Sequence, residues 1–300
     1  MSASLKRLDA SAWAMLVVLS AMWGGSFLFG KVALSDIPPA SVAALRIVLG
    51  GALLYLVVRA RRLVLPVDGR SLRDFAVLGL LNTVVPFALI LWAQQSVSVG
   101  LAATFMAATP ISTLVLAHLL TRDEPLTGRR AAGALVGLAG VALLVGPDAL
   151  LGLGGAVLPQ LACVAATVCY GCALIWGRRF RGQEGMVVAA GQFVVAAPFA
   201  VVYAALADSP WTLPVPGLPA VASIAALVLV STVVAYVVYF RILAGYGAGN
   251  ASLVTMLVPV SAMVLGAAVL GEIPEPLAFG GFVVIAFGLS LIDGRLFERG

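Results

Sequence analysis

GLAATFMAATPISTLVLAHLLTRDEP, residues Gly100 to Pro125, realigns without a gap on GNASLVTMLVPVSAMVLGAAVLGEIP, residues Gly249 to Pro274. Gly100 falls on Gly249, Ala102 on Ala251, Pro110 on Pro259, Ser112 on Ser261, Leu116 on Leu265 and Pro125 on Pro274. Working outward, Thr83-Val84-Val85 falls on Thr232-Val233-Val234. With small slips, Gly133 and Gly140 fall on Gly281 and Gly288, and Trp23-Gly24 with Gly30 falls on Tyr170-Gly171 with Gly177. The chain is therefore written twice, as a first copy over 1–149 and a second over 150–300. In a membrane protein, internal symmetry of this kind points to a transporter whose site lies between the repeats.

Composition sets the solvent. Of 300 residues, 62% are hydrophobic and 10% are charged, and the mean hydropathy is +1.11, outside the range of soluble domains. Crossing about 30 Å of hydrocarbon takes roughly 20 apolar residues in a helix. Ten such runs are legible, at about 11–32, 39–58, 74–95, 98–120, 128–146, 155–177, 185–207, 218–240, 249–271 and 275–292. The expected fold is all-α and integral to the membrane, with ten transmembrane helices as two inverted five-helix repeats around a central cavity. The first run reads as a span and not a cleaved leader, because its apolar stretch is too long and no convincing cleavage site follows.

Basic residues set the topology. Lys6 and Arg7 precede span 1; Arg59, Arg61, Arg62, Arg70 and Arg73 lie between spans 2 and 3; Arg122, Arg129 and Arg130 lie between spans 4 and 5. Arg178, Arg179 and Arg181 follow span 6, Arg241 follows span 8, and Arg295 and Arg299 close the chain. All fall on one side of a ten-span arrangement, which is expected to be cytoplasmic with both termini. The opposite loops contain no Lys or Arg. Five spans per copy is odd, so the copies are expected to insert in opposite directions. The net charge of +5 belongs to these loops beside anionic lipid and implies no nucleic-acid partner.

Cys163, Cys169 and Cys172 all lie in span 6, and Cys169-x-x-Cys172 has redox or metal spacing. With no second pair, they read as small apolar packing residues, and no metal or cofactor is expected. His118, the only histidine, sits near the end of span 4 and reads as structural. An enzyme would need a nucleophile beside a base, or paired acids. The residues supply neither, so no catalytic residue is assigned.

Depth and helical spacing select the candidate pathway. Trp23 and Tyr170 fall near the middles of spans 1 and 6 and are repeat equivalents. Pro86, Pro110 and Pro259 mark the middles of spans 3, 4 and 9; each frees a carbonyl that needs a partner in lipid, which suits hinges or gates facing a cavity. On span 3, Asn82 and Pro86 share one stripe and Thr83 and Phe87 another. Span 8 answers with Tyr236 and Tyr239, span 4 with Met106 and Thr109, and span 9 with Thr255. These residues are expected to line the substrate cavity, where deep aromatic rings with polar tips suit amphipathic or aromatic solutes. Arg46 in span 2 is an intramembrane charge about 10 Å deep, either functional or satisfied by neighbouring carbonyls. Lys31 ends span 1, and no Asp or Glu lies in the middle of any span; Asp123, Glu124 and Glu272 lie at helix ends. Spans 5 and 10 are poor in polar residues but rich in glycine. They are expected to be peripheral staves packing against their own repeat or a second copy.

Trp23-Gly24-Gly25-Ser26-Phe27, Ala44-Leu45-Arg46, and Pro110 followed by Glu124, Gly133 and Gly140, echoed at Pro259, Glu272, Gly281 and Gly288, resemble the drug/metabolite transporter superfamily and its ten-span EamA-type members. The resemblance covers nearly the whole chain. It implies a basket of spans 1, 3, 4, 6, 8 and 9 around a central cavity. It also implies export of amino acids, aromatic ones included, or of purines, drugs or other metabolites. The second copy departs from the pattern at Gln192, where no arginine matches Arg46. Clustered cavity Lys or Arg is lacking, which argues against nucleotide-sugar or phosphate cargo.

The expected function is a secondary transporter exporting small metabolites, amino acids with aromatic or hydrophobic side chains first, across a bacterial inner membrane by alternating access. Drugs, nucleobases or other metabolites as cargo, and a passive channel, stay open as alternatives. The expected partners are a small-molecule substrate and the lipid bilayer, with the chain a monomer or homodimer.

Overall fold

A computed structural model describes residues 9–120, 128–145, 157–273 and 276–293, and a helix stands at each of the ten predicted runs. These are α1 (Ala10–Ala33), α2 (Pro39–Ala60), α3 (Gly69–Ala93), α4 (Val99–Leu120), α5 (Gly128–Val145), α6 (Val157–Gly177), α7 (Gly185–Ala207), α8 (Leu218–Tyr246), α9 (Ala248–Ala251 then Val254–Leu270) and α10 (Pro276–Asp293). No strand occurs among the described residues. Seven of the helices are long and apolar enough to cross a membrane: α1 to α4 and α6 to α8. The apolar stretches of the other three, Ala131–Leu144, Val254–Leu270 and Pro276–Ile292, are shorter. Lys6, Arg7, Arg122, Asp123, Glu124, Arg295 and Arg299, with the 146–154 loop, lie outside the described residues.

Four helices are irregular, and local chemistry accounts for each. In α3 a π-helical turn spans Leu80–Val84, directly before Pro86. Pro86 donates no hydrogen bond and its ring crowds the carbonyl of Asn82, so the ladder widens by one residue. In α8 the equivalent π-helical turn, Leu229–Val234, contains no proline. There the Thr232 hydroxyl donates to the Leu227 carbonyl at 2.9 Å and intrudes on the ladder. Helix α4 breaks at Ala107 and Ala108, so Pro110 falls in the first turn of a new helix, where no amide donor is needed. Helix α9 breaks earlier, at Ser252 and Leu253, and carries Pro259 inside its longer part.

The packing repeats along with the sequence. Helix α1 packs on α9 and α6 on α4; α1 packs on α8 and α6 on α3; α2 pairs with α7 and α5 with α10. Exchanging each helix for the one five places along leaves this list unchanged. Atomic detail follows the same exchange. The Ser20 and Ser261 hydroxyls bond at 2.9 Å between α1 and α9, and those of Thr167 and Ser112 at 2.9 Å between α6 and α4. Gly24 lies against Ser261 and Ala262, and Gly171 against Ser112 and Thr113. Small residues at these crossings let backbones approach where no hydrophobic effect drives helices together.

Helices α5 and α10 differ from expectation. Neither packs chiefly against its own copy; they pack against each other. Gly133 meets Gly288 and Gly140 meets Gly281, with backbone oxygens 2.7 to 3.1 Å from where a Cβ would stand. Two glycine stripes of matching spacing make flat faces, and the complementary partner is the other repeat.

One end of the bundle is tied across helices. The Ser41 amide donates to Asp208 Oδ2 at 2.6 Å, the Val99 amide to Glu272 Oε2 at 2.9 Å and the Gly217 amide to Asp36 Oδ2 at 2.7 Å. Carboxylates suit these positions because the first amides of α2 and α4 lack helical acceptors. Lys31 Nζ donates to the carbonyls of Gln94 and, at 3.2 Å, Val97, at the end of α3. At the other end, Asp9 caps α1 by accepting from the Ala12 amide at 2.8 Å and the Tyr246 hydroxyl at 3.0 Å. Those two donors hold its carboxyl below the ordinary carboxylate range.

Candidate functional site

Trp23, halfway along α1, is half-buried, and its ring centroid stands 5.4 Å from that of Tyr239 on α8. The rings then continue without a gap. Tyr239 meets Phe240 at 5.2 Å, Phe240 meets Tyr236 at 6.0 Å, Tyr236 meets Phe193 of α7 at 5.9 Å, and Phe193 meets Phe87 of α3 at 6.3 Å. Offset and edge-on geometries in this range are favourable for aromatic quadrupoles. Phe193 is fully buried and acts as the keystone, while Trp23, Phe87, Tyr236, Tyr239 and Phe240 each keep part of their surface free. The chain of rings lies on a seam. Trp23, Tyr170 and Tyr239 pack against one apolar cluster, and Phe87, Tyr236 and Phe240 pack against another.

Polar groups converge on the far end of this chain. Arg46 of α2 places its guanidinium carbon 4.2 Å above the centre of the Phe87 ring. Its Nε donates to Thr232 Oγ1 at 3.2 Å. The Thr232 proton is already given to Leu227, so its oxygen is oriented as an acceptor. Asn82 Nδ2 donates to Gln192 Oε1 at 2.9 Å, and Gln192 Nε2 donates to the Tyr236 hydroxyl at 3.3 Å. Tyr170 and Tyr236 lie close enough to feel the Arg46 charge.

The two π-helical turns explain how these groups meet. The turn in α3 presents Asn82 to Gln192 of α7, and the turn in α8 presents Thr232 to Arg46 of α2. Gln192 occupies the position in the second copy that Arg46 holds in the first. Phe87 and Tyr236 are also repeat equivalents, 149 residues apart, and both flank Phe193. The candidate site thus draws on matching positions of both copies, with one charged and one neutral member at its polar end.

Sequence-selected residues divide accordingly. The structure brings together Trp23, Asn82, Phe87, Tyr170, Tyr236, Tyr239 and Arg46. It does not bring Thr83 there: Thr83 is fully buried and its hydroxyl donates to the Gly79 carbonyl at 2.6 Å. Thr255 similarly donates to the Ser252 carbonyl at 2.7 Å, at the break in α9. Met106 and Thr109 flank the break in α4, half-buried, with Met106 on the same apolar cluster as Trp23. Pro86 and Pro259 are buried and Pro110 is half-buried. His118 is exposed near the end of α4, remote in sequence from every member of the group. Gln192, Phe193, Thr232 and Phe240 join this group and were not selected from sequence as candidate residues. Their signal was the repeat: Gln192 and Thr232 sit opposite Arg46 and Thr83 in the alignment of the two copies.

The profile of the EamA-like transporter family matches this chain twice, over residues 11–146 and 158–293. The "S-adenosylmethionine/S-adenosylhomocysteine transporter" of Chlamydia trachomatis is 27% identical over 95% of this chain and 90% of that protein. The "Probable amino-acid metabolite efflux pump" of Escherichia coli is 27% identical over 93% of this chain and 92% of that one. A solved crystal structure of a protein 22% identical in sequence superposes with a TM-score of 0.66, covering 97% of this chain and 99% of the other, a likeness of fold.

Proposed function

The chain belongs to the EamA-like transporter family, and on that premise we propose that it exports amino acids or close amino-acid derivatives, those with aromatic or hydrophobic side chains first, across a bacterial inner membrane. In this reading the ten helices all span, as two copies (1–149 and 150–300) inserted in opposite directions, with both termini cytoplasmic. It works as a monomer or homodimer.

The observation that carries the reading is the half-buried aromatic chain from Trp23 to Phe87, ending at Arg46 and the Asn82–Gln192–Tyr236 bonds. It offers an apolar wall for a side chain and a polar end for a head group, which is the division within an amino acid. The names of the two relatives support it: S-adenosylmethionine and S-adenosylhomocysteine carry an amino-acid end, and the other name is of an amino-acid metabolite efflux pump.

The doubled construction supports alternating access. Rocking one copy against the other reverses which end of the seam is open. The Asp208, Glu272 and Asp36 bonds tie segments together at the end expected to face the periplasm, and in this reading a rocking motion that parts those segments breaks them.

Counterflow in proteoliposomes tests the proposal. Vesicles preloaded with unlabelled phenylalanine, tryptophan, leucine or S-adenosylhomocysteine should transiently accumulate the labelled form above equilibrium. Equilibration without overshoot would indicate a channel. No uptake of any amino-acid compound by folded protein would overturn the cargo assignment.

A further inference from the structure

Arg46 lies eight residues into α2, where a charge removed from water costs several kcal/mol unless it is paired. Its partners account for only part of it. Nε is taken by Thr232, and the guanidinium carbon stands over the Phe87 ring. The two Nη groups donate to no protein acceptor, and they are not sealed off, since the side chain is half-buried and neither atom is among the buried unsatisfied ones. No carboxylate pairs with it: among the described residues the one ion pair is Arg73 with Asp74. The protein thus holds the guanidinium through Nε and over the Phe87 ring and pairs neither Nη group with an acceptor of its own.

We propose that Arg46 receives the carboxylate of the cargo, bidentate through its two Nη groups, and that this contact makes a free carboxylate the required recognition element. The inference deepens the reading above and rests on the cargo occupying this seam. A planar five-donor fork matches two carboxylate oxygens better than any other side chain does. One guanidinium balances one negative charge, and no second cation stands among the site residues, so a monoanionic carboxylate fits where a phosphate dianion does not. The Tyr236 hydroxyl, which accepts from Gln192 Nε2 at 3.3 Å, adds a further polar group on the neighbouring helix. Gln192, in the matching position of the second copy, is neutral and already bonded to Asn82, so the carboxylate has one preferred end.

The experiment compares matched acids and amides on the whole protein in detergent, by ligand-induced melting shift and by competition for counterflow. The pairs are phenylalanine with phenylalaninamide, leucine with leucinamide, and 3-phenylpropionate with 3-phenylpropionamide. Wild type should favour each acid it binds by about tenfold or more, the effect of losing a hydrogen bond to a charged group. Arg46→Gln, checked for monodispersity, should bring acid and amide of each pair within about twofold, and Arg46→Lys, which keeps the charge without the fork, should fall between. Lys31→Ala is the control: its Nζ is spent on Gln94 and Val97, so the preference should stay as in wild type. Binding of 3-phenylpropionate but of no amino acid would uphold the Arg46 role while overturning the amino-acid reading. Equal binding of acids and amides by wild type, a preference that survives in Arg46→Gln, or no carboxylate-dependent binding anywhere in the panel would overturn the role itself.

Discussion

Trp23→Ala is expected to lower counterflow by about tenfold or more while leaving a folded, monodisperse protein. The indole lies halfway along α1, half-buried, at one end of the aromatic chain, and its ring neighbour is Tyr239 at 5.4 Å. Losing that pair costs about 0.5–1.5 kcal/mol beyond area, which a bundle of this size tolerates. What transport loses is larger, because the ring is also wall for the cargo, and about 1.4 kcal/mol of binding is already tenfold. Trp23→Phe should recover much of the rate, since it restores an aromatic face. Initial counterflow rates set against melting temperature separate the two effects. Normal transport by Trp23→Ala would remove Trp23 from the site.

Gly24→Val is expected to have the larger effect on folding, although the residue is adjacent. A Cβ at Gly24 would lie 2.8 Å from Ser261 Cβ, 2.9 Å from the Ala262 nitrogen and 3.0 Å from the Val258 oxygen. Two of those are backbone atoms of α9 and cannot rotate away. Even alanine must push α1 from α9, at about 1–3 kcal/mol, and valine more. The move would also break the Ser20–Ser261 bond. At the matching position, a Cβ on Gly171 would meet a flexible Leu116 methyl at 2.9 Å, with backbone no nearer than 3.2 Å. Gly171→Val should therefore melt at a higher temperature than Gly24→Val. Equal melting of both variants and wild type would contradict the close-packed crossings.

This contrast shows what the sequence made legible. Helix positions followed from apolar run length, because lipid demands it of every segment. The repeat was legible because Pro110 and Ser112 return as Pro259 and Ser261. The glycine faces of α5 and α10 were legible as faces, but their partner was not, since a flat stripe does not name what it meets. Of the aromatic chain, Trp23, Phe87, Tyr236 and Tyr239 were legible from depth and spacing, while Phe193 and Phe240 were not. Thr83 and Thr255 each donate a hydroxyl to their own backbone, which a threonine in a helix can do and which spacing cannot reveal. Gln192 looked like a departure from the repeat pattern, yet it is the partner of Asn82. The π-helical turn in α8 had no proline to announce it, so the meeting of Thr232 with Arg46 was hidden.

Photolabelling tests the central claim, that cargo sits along the aromatic chain where residues of both copies meet, most directly. A diazirine analogue of leucine, irradiated on the protein in proteoliposomes and mapped by peptide mass spectrometry, should mark Trp23, Phe87, Tyr170 or Tyr236. Excess unlabelled substrate should suppress the adducts. Adducts confined to α5 and α10, or insensitive to competing substrate, would contradict a site on the aromatic chain.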